Sequence, residues 1–325
     1  MKAAAPIVLP NVSERRHVHI INPNAGSKKY YSAAVSAIEK SGEERLESTS
    51  GEHLRALVAD LFRKDPFAHA IVYGGDGSVY EAVNGIMESG AAATASFSVF
   101  PAGSGNDFST FANDKAGFKK AELNKIDLIS VSHGGKRDYF ANMMNIGFDC
   151  AVVKETYTLK KKPFLKGPAA YIAGVLKVLA VKKTIPAKIK LSGVVSLDKK
   201  APQEDIVMEK NILLTACANG RYCGGGFNAA SLAMLNDGLM DVLVVNDVSR
   251  AKFISIVGNY KKGDYISEDG SMMSSFKNVI DYCKCRRMEI VGPEMVCLDG
   301  EVMETGREEA VVAEVHPGAV WFAAI

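Results

Sequence analysis

The feature that most constrains this chain is a glycine-rich turn between a β-prone run and a helical pattern. Residues 71–73 are β-prone, the sequence then reads Gly74-Gly75-Asp76-Gly77-Ser78, and the helical pattern begins at Ser78, a good N-cap residue. Glycines let the backbone approach a ligand closely, and free N–H groups at a helix N-terminus favour an anion such as phosphate. The same glycines also suit an ordinary βα turn, but the central Asp76 favours a site where Mg²⁺ bridges its carboxylate to phosphate.

The composition predicts a globular protein with two domains. The chain has 325 residues, of which 47% are hydrophobic and 23% charged. A net charge of +2 and the lack of a dense Lys/Arg block argue against a nucleic-acid partner. The six cysteines lack the spacing of a disulfide scaffold or a zinc site, which predicts structural thiols in a reducing compartment. With no convincing signal peptide or membrane span, we predict a cytoplasmic protein, with peripheral contact at the inner membrane surface left open.

The N-terminal part of the chain alternates strands and helices. β-prone runs separated by helical patterns occupy residues 17–21, 45–49, 69–73 and 96–101. This alternation predicts a parallel sheet flanked by helices. Because the loops at Asn22, Gly74 and Gly103 each follow a strand, we expect them to share the edge where such sheets bind ligands. Neither glycine loop has the third glycine of a dinucleotide motif, and the chain has no P-loop, so the expected pocket is of another type.

From about Lys125 onward the pattern changes to short β-prone runs with two helical interludes. One of the predicted strands covers residues 138–146. Strands in series predict a mostly antiparallel second domain. The segment His133-Gly134-Gly135 marks the predicted boundary. We therefore predict an α/β domain over residues 1–133 and a β-rich domain over residues 134–325.

Five motifs follow one another along the chain: Asn22-Pro23-Asn24-Ala25-Gly26, Gly74-Gly75-Asp76-Gly77-Ser78, Gly103-Ser104-Gly105-Asn106-Asp107-Phe108, a glycine-rich segment from Asn219 to Asp241, and Leu298-Asp299-Gly300-Glu301. In this order they resemble the diacylglycerol kinase catalytic family, especially its soluble bacterial lipid-kinase branch. The resemblance implies an ATP-dependent kinase that acts on a lipid hydroxyl. It also implies an NAD kinase-like nucleotide-binding α/β domain and a β-sandwich-like lipid domain that face each other across a cleft.

The resemblance implies which residues form the site. Glu301 is the predicted general base, because a hydroxyl nucleophile is poor until a positioned carboxylate accepts its proton. A solvated turn carboxylate is the alternative for this residue. Asp76 is the predicted catalytic residue that holds Mg²⁺, directly or through water. The implied nucleotide-binding residues are Asn22, Pro23, Asn24, Ala25, Gly26, Thr49, Gly74, Gly75, Asp76, Gly77, Ser78, Glu81, Gly103, Ser104, Asn106 and Asp107.

A second metal is implied near Asp237, which matches a structural Mg²⁺ ligand of some family members. The backbone carbonyls of Met234 and Leu239 would complete that site. The chain has Asn236 where some members carry a second acid, so the alternative is an aspartate that only caps a turn.

The implied substrate is diacylglycerol or a related lipid alcohol, such as a sphingoid base or ceramide. Residues 160–166 are the predicted region of peripheral membrane contact, because Lys160, Lys161, Lys162 and Lys166 surround two apolar residues. A solvated loop is the alternative for this segment. Two other functions stay open, an NAD kinase-like enzyme and a nucleotide- or lipid-binding regulator without activity, and a homodimer is open as well.

Overall fold

The computed structural model describes residues 9–26, 28–160, 168–197 and 201–325. The α-helices in these ranges are α1 (Lys28–Ser41), α2 (Gly51–Lys64), α3 (Asp76–Ser89), α4 (Asp107–Asp114), α5 (Phe148–Lys160), α6 (Pro168–Val181) and α7 (Arg250–Lys262). The strands are β1 (His17–Ile21), β2 (Glu44–Glu47), β3 (His69–Gly74), β4 (Ser96–Pro101), β5 (Leu123–His133), β6 (Lys136–Phe140), β7 (Met143–Gly147), β8 (Ile185–Ser192), β9 (Ile206–Ala218), β10 (Met240–Asn246), β11 (Ile280–Cys285), β12 (Arg287–Val291), β13 (Met295–Leu298), β14 (Glu301–Glu304) and β15 (Val311–Ala323).

The first four strands form a parallel sheet in the order β2-β1-β3-β4. The central strand β3 is buried along nearly its whole length, as expected for a strand covered by helices on both faces. One of these helices, α2, contributes Leu54, Val58 and Phe62 to the core at helical spacing. Its N-terminus is capped by the Ser50 hydroxyl, which accepts a hydrogen bond from the His53 N–H. The predicted α/β domain with a parallel sheet is confirmed.

The strands of the second part pair mostly antiparallel, as predicted. β9 pairs with β7, β8 and β10, and β12 pairs with β8 and β15. Along β8 exposed and buried residues alternate, which is the pattern of a strand with one face on a core. The buried faces of these strands meet in one cluster that includes Ile189, Val242 and Met288.

The C-terminal strand β15 joins the two parts of the chain. It pairs antiparallel with β5 over most of its length and parallel with β4 through Trp321 and Phe322. The Phe322 ring lies 5.3 Å from the Phe97 ring and 5.5 Å from the Phe108 ring, measured between centroids, in the core of the N-terminal part. The last strand therefore connects the parallel strands of the first part to the antiparallel strands of the second in one continuous sheet. The division of the chain at residue 133 stays a prediction.

Two local predictions were wrong, and one helix was missed. α3 begins at Asp76 with Gly75 as its N-cap, so Ser78 lies in the first turn and is not the cap residue. The strand predicted over residues 138–146 is divided into β6 and β7. The division arises because the Asp299 carboxylate binds the backbone N–H groups at the break, which then cannot pair with another strand. The sequence pattern did not predict α5.

Three further predictions concern the cysteines, a membrane span and the lysine-rich segment. All six cysteines are free thiols, as predicted. None of the helices in the described ranges combines the length and apolar character that crossing a bilayer would require. Residues 160–166 lie outside the described part of the chain, except for the backbone of Lys160 at the end of α5.

Candidate active site

Four loops meet at the edge of the parallel sheet formed by the carboxyl ends of its strands. They hold residues 22–26 after β1, Thr49 after β2, residues 74–78 after β3 and residues 103–107 after β4. Backbone hydrogen bonds tie neighbouring segments together. The Asn22 N–H donates to the Tyr73 carbonyl at 3.1 Å, and the Ala102 N–H donates to the Gly74 carbonyl at 2.9 Å. The structure thus brings together the loops that the sequence predicted would share one edge.

The 74–78 and 103–107 loops pack backbone against backbone at Gly75 and Gly103. A Cβ atom on Gly103 would lie 2.4 Å from the Gly75 Cα, so neither position has room for a side chain. Asn106 holds the second loop in shape from a left-handed conformation with φ 59°. Its Oδ1 accepts the Gly103 N–H at 2.8 Å, and its Nδ2 donates to the Gly103 carbonyl at 2.9 Å. Asn106, a predicted nucleotide ligand, therefore supports the loop itself.

Asp76 and Asp107 form an acidic pair at the first residues of α3 and α4. Their carboxylates flank Gly105, where a Cβ atom would lie 2.8 Å from Asp76 Oδ2 and 3.4 Å from Asp107 Oδ2. The other Asp76 oxygen accepts the Phe108 N–H at 3.0 Å. Burial raises the pKa of Asp76, and burial together with the charge of Asp76 raises the pKa of Asp107 to about 6. The negative charges of the two carboxylates repel each other, and a cation between them would relieve this repulsion. The pair therefore fits the predicted Mg²⁺.

Asp107 also links the N-terminal part to a glycine-rich loop of the second part. Its Oδ2 accepts the Gly225 N–H at 2.9 Å, and its Oδ1 accepts the Gly226 N–H at 2.8 Å. Both carboxylate oxygens are therefore already hydrogen-bonded, which favours a role in holding the two sides of the cleft together. The sequence pattern marks residues 224–226 as glycine-rich but gives them no role.

Glu301 comes from the second part of the chain and lies against the 74–78 loop. A Cβ atom on Gly77 would lie 2.9 Å from Glu301 Oε1, so the carboxylate is next to the loop that contains Asp76. The side chain is partly buried, and burial together with the charge of Glu81 raises the pKa of Glu301. A partly buried carboxylate with a raised pKa in a cleft is suited to accept a proton.

Asp299 fixes the turn that presents Glu301. It is buried, has a φ of 47°, and accepts three consecutive backbone N–H groups. The donors are Ala141 at 3.0 Å, Asn142 at 3.1 Å and Met143 at 2.7 Å. Burial raises the pKa of Asp299 to about 7, while the N–H donors favour its ionised form. The sequence predicts the tight turn, but not that Asp299 anchors it to the start of β7.

Tyr157 of α5 contacts the turn before Glu301, and the sequence did not predict this contact. Its hydroxyl donates to the Gly300 carbonyl at 3.1 Å, next to Glu301. Burial, followed by the charge of Glu301, raises the pKa of Tyr157 to about 12, so the hydroxyl keeps its proton and can act as a donor. No pattern within α5 identifies Tyr157, because its place in the cleft depends on a contact with a turn 143 residues away in the sequence.

The remaining predicted nucleotide-binding residues lie at the same edge with different partners. Asn22 Nδ2 donates to Ser78 Oγ at 3.4 Å, and the Thr49 hydroxyl lies 2.9 Å from the Nδ1 atom of the histidine four residues later. Glu81 forms an ion pair with Arg55 at 2.7 Å, which joins α3 to α2. The exposed or half-exposed loop residues at this edge are Pro23, Asn24, Ala25, Gly26 and Ser104. Nucleotide binding by all of these residues stays a prediction.

Asp237, the carboxylate of the predicted structural metal site, contacts a lysine ammonium. Lys284 Nζ donates to Asp237 Oδ2 at 3.0 Å and to Asp241 Oδ2 at 2.9 Å. It also donates to the Leu232 carbonyl at 3.0 Å. Leu239 donates its N–H to Asp237 Oδ1 at 3.2 Å, whereas the prediction gave it a role as a carbonyl ligand. Across the described ranges, no group of three or more His, Cys, Asp or Glu side chains has the arrangement of a metal site.

Comparison with known proteins accounts for both parts of the chain. Residues 16–134 match the diacylglycerol kinase catalytic domain. Residues 142–324, more than half of the chain, match the YegS C-terminal NAD kinase beta sandwich-like domain. The second match confirms the predicted sandwich-like character of the C-terminal part.

Curated relatives carry the name "Probable lipid kinase YegS-like". The protein from Shewanella frigidimarina (strain NCIMB 400) is 29% identical over 63% of this chain and 62% of its own length. The protein from Alcanivorax borkumensis is 30% identical over 55% of each chain. The chain therefore spans somewhat more than half the length of the curated relatives that it matches.

A solved structure extends the likeness to nearly the whole fold. The crystal structure of a diacylglycerol kinase from Bacillus anthracis str. Sterne covers 96% of this chain and 97% of its own, with a TM-score of 0.60 and 20% identity. At that identity the likeness shows the fold alone. The domain match over more than half of the chain shows that it belongs to the family with the YegS C-terminal NAD kinase beta sandwich-like domain, which in this chain follows a diacylglycerol kinase catalytic domain.

Proposed function

We propose that this protein is an ATP-dependent, Mg²⁺-requiring kinase that phosphorylates a lipid hydroxyl. The observation that carries the proposal is the position of Glu301. Its Oε1 lies 2.9 Å from the point where a Cβ atom on Gly77 would be. The candidate base of the second part thus meets the candidate phosphate loop of the first. The names of the curated relatives support the same class of reaction.

The residues of the cleft supply what phosphoryl transfer asks of a protein, which is positioning and neutralisation of charge. The N–H groups of the 74–78 loop at the start of α3 would bind phosphate oxygens. Mg²⁺, held by Asp76, would neutralise the phosphates. Glu301 would accept the proton of the lipid hydroxyl as the hydroxyl oxygen bonds to the γ-phosphorus of ATP, while the bond from that phosphorus to the bridging oxygen breaks and ADP leaves. Asp299 and Tyr157 would keep the Glu301 turn in place.

The proposal also names the molecule that accepts the phosphoryl group. Diacylglycerol or a related lipid alcohol, such as a sphingoid base or ceramide, is the proposed acceptor. NAD is the competing acceptor, because the second part of the chain matches an NAD kinase beta sandwich-like domain. A regulator without activity is the third alternative, and the presence of Asp76 and Glu301 on one cleft argues against it.

An assay with radiolabelled ATP separates these three functions. The protein is incubated with Mg²⁺ and a total lipid extract in mixed micelles, and in parallel with NAD. We expect a labelled product that partitions into the organic phase and disappears when EDTA removes the metal. Labelled NADP would support the NAD kinase-like alternative. A protein that binds ATP in a filter assay but labels neither acceptor at any Mg²⁺ concentration would contradict the kinase proposal.

We also propose peripheral membrane contact through residues 160–166 and the exposed face of α6. Ile172 and Leu176, which lie one turn apart on the same face of α6, are both more than half exposed. The lysines that precede α6 in the sequence would add attraction to anionic lipids of about 1 kcal/mol for each charge. A lipid substrate makes such contact necessary, because the acceptor resides in the bilayer.

Reversing the lysine charges tests this contact. A triple change of Lys160→Glu, Lys161→Glu and Lys162→Glu should weaken binding to anionic vesicles by at least about tenfold, because three favourable charges become repulsive. Co-sedimentation with the vesicles measures the effect. The matched control reverses three exposed lysines elsewhere, Lys119, Lys120 and Lys136. Equal vesicle binding by the two triple variants would rule out the proposed surface.

A further inference from the structure

Lys284 contacts Asp237, the residue for which the family resemblance implies a structural metal ion. Its Nζ atom is surrounded by three oxygens at 2.9–3.0 Å, from the carboxylates of Asp237 and Asp241 and the carbonyl of Leu232. The side chains are nearly inaccessible to solvent, at 6% for Lys284, 6% for Asp237 and 1% for Asp241. A buried cation with converging oxygen ligands is the arrangement that proteins use to hold a metal, but here the cation is part of the chain.

The ammonium leaves no place for a second cation. An ion bound to the Asp237 carboxylate would lie within a few ångströms of the Lys284 nitrogen, and two positive charges would repel each other strongly in a buried site. Mg²⁺ also requires a near-octahedral set of about six oxygens. The chain has Asn236 in place of a second acid. Both Asp237 carboxylate oxygens already accept hydrogen bonds, Oδ1 from the Leu239 N–H and Oδ2 from Lys284. The donors present therefore fit a lysine and do not fit an additional Mg²⁺.

Lys284 connects two neighbouring strands and the turn before one of them. On β11 it pairs across the ladder with Asp241 of β10, and its contact with Asp237 ties the turn before β10 to the same strand. The second Asp241 oxygen accepts the Tyr282 hydroxyl. The cluster thus joins two strands and a turn, and each of its charges is stable in the core only while the others are present.

We infer that the Lys284 ammonium takes the place of a structural metal ion, so that the second part of this chain folds without a metal at Asp237. The inference is independent of the proposed kinase activity. Once the lysine side chain is removed, two carboxylates and a carbonyl face the space that Nζ filled, and water that enters this space can complete the oxygen ligands of a divalent cation.

Thermal unfolding of the Lys284→Ala variant tests this inference. In EDTA we expect its Tm to fall by about 6–10 °C, because two buried carboxylates lose their partner. Millimolar Ca²⁺ or Mg²⁺ should restore at least half of the loss, a much larger rise than in the unchanged protein. The matched control is Lys210→Ala, which removes a partly exposed ion pair between Lys210 on β9 and Asp281 on β11 and should create no metal dependence.

Two results would overturn the inference. One is a Lys284→Ala variant whose Tm responds to Ca²⁺ and Mg²⁺ no more than that of the unchanged protein. The other concerns Asp237→Asn, which keeps Lys284 and so remains informative if Lys284→Ala fails to fold. We expect the Mg²⁺-induced rise in Tm to be the same with and without this change. A smaller rise in Asp237→Asn would show that a metal already uses this position.

Discussion

Replacement of Glu301 by glutamine is expected to lower kcat for lipid phosphorylation by about 10²–10⁴-fold, the usual contribution of a positioned general base. The glutamine keeps the size of the side chain but cannot accept the proton of the hydroxyl. Because the Glu301 side chain is only partly buried and forms no ion pair within the described ranges, the free energy of unfolding should change little. Steady-state kinetics with the radiolabelled product, together with urea unfolding, measure both quantities.

Glu304→Gln is the matched control for this change. Glu304 lies on the same strand, β14, but its side chain is 86% exposed and its ion pair with Lys154 is long, at 3.6 Å. We expect this variant to keep its activity. A Glu301→Gln variant that is folded and as active as Glu304→Gln would contradict the assignment of Glu301 as the base.

The pH dependence provides a separate measure of Glu301. A general base acts only in its ionised form, so kcat should fall as the pH drops below the pKa of this carboxyl. Burial and the charge of Glu81 raise that pKa. The fall in kcat on the acid side of the pH profile, which we call the acid limb, should therefore occur at a higher pH than the ordinary pKa of glutamate. In Glu301→Gln the residual rate should lose this limb, whereas a merely structural role for Glu301 would leave the pH profile in place.

The edge of the parallel sheet could be predicted because its causes are local in the sequence. Each of the loops at Asn22, Gly74 and Gly103 follows a β-prone run and precedes a helix, and parallel strands bring their carboxyl ends together. The glycines are needed for a close approach that the structure confirms at Gly75 and Gly103. Local pattern and tertiary structure therefore agree at this edge.

The other side of the cleft depends on contacts between distant residues, which explains why the sequence predicted less of it. The Asp299 carboxylate binds the backbone N–H groups that separate β6 from β7, more than 150 residues earlier in the chain. A pattern of alternating residues cannot reveal that these N–H groups are used by a side chain. The same reason hides Tyr157, whose partner is a backbone carbonyl in the turn before Glu301.

Lys284 illustrates the same limit within the second part of the chain. The motif from Asp237 to Asp241 marks two acids by local sequence, but their cation comes from β11, 47 and 43 residues later. A single lysine between Cys283 and Cys285 reads as an ordinary strand residue. Only the antiparallel register of β10 and β11, which sets Asp241 opposite Lys284, shows what the lysine does.

Asp76→Asn is expected to lower Mg²⁺-dependent activity by at least about 10²–10³-fold, because the change removes the charge that would hold the metal at the phosphates. The fold should not be weakened. The asparagine oxygen can still accept the Phe108 N–H, and the neutral amide no longer repels Asp107 across Gly105. Loss of activity with an unchanged or higher Tm is the expected combination, since functional sites often hold groups that reduce stability.

Because Asp76→Asn removes one charge of the acidic pair, its stability should depend on pH differently from that of the unchanged protein. A carboxyl whose pKa is raised in the folded state contributes stability at low pH that is lost as the pH rises through the raised value. For Asp107 this loss spans the range from its ordinary value of 3.8 to about 6, and the charge of Asp76 is one of its causes. Without that charge the loss should be smaller. The Tm of Asp76→Asn relative to the unchanged protein should therefore be higher near neutral pH than below the ordinary aspartate pKa.

Metal titration of the two proteins tests whether Asp76 holds the metal. Mg²⁺ should raise the Tm of the unchanged protein near neutral pH, because it neutralises the pair formed with Asp107, and it should raise that of Asp76→Asn much less. Differential scanning fluorimetry over a range of Mg²⁺ concentrations measures both curves. A folded Asp76→Asn variant with near-normal activity and the same response to Mg²⁺ would show that the metal of the reaction is held elsewhere.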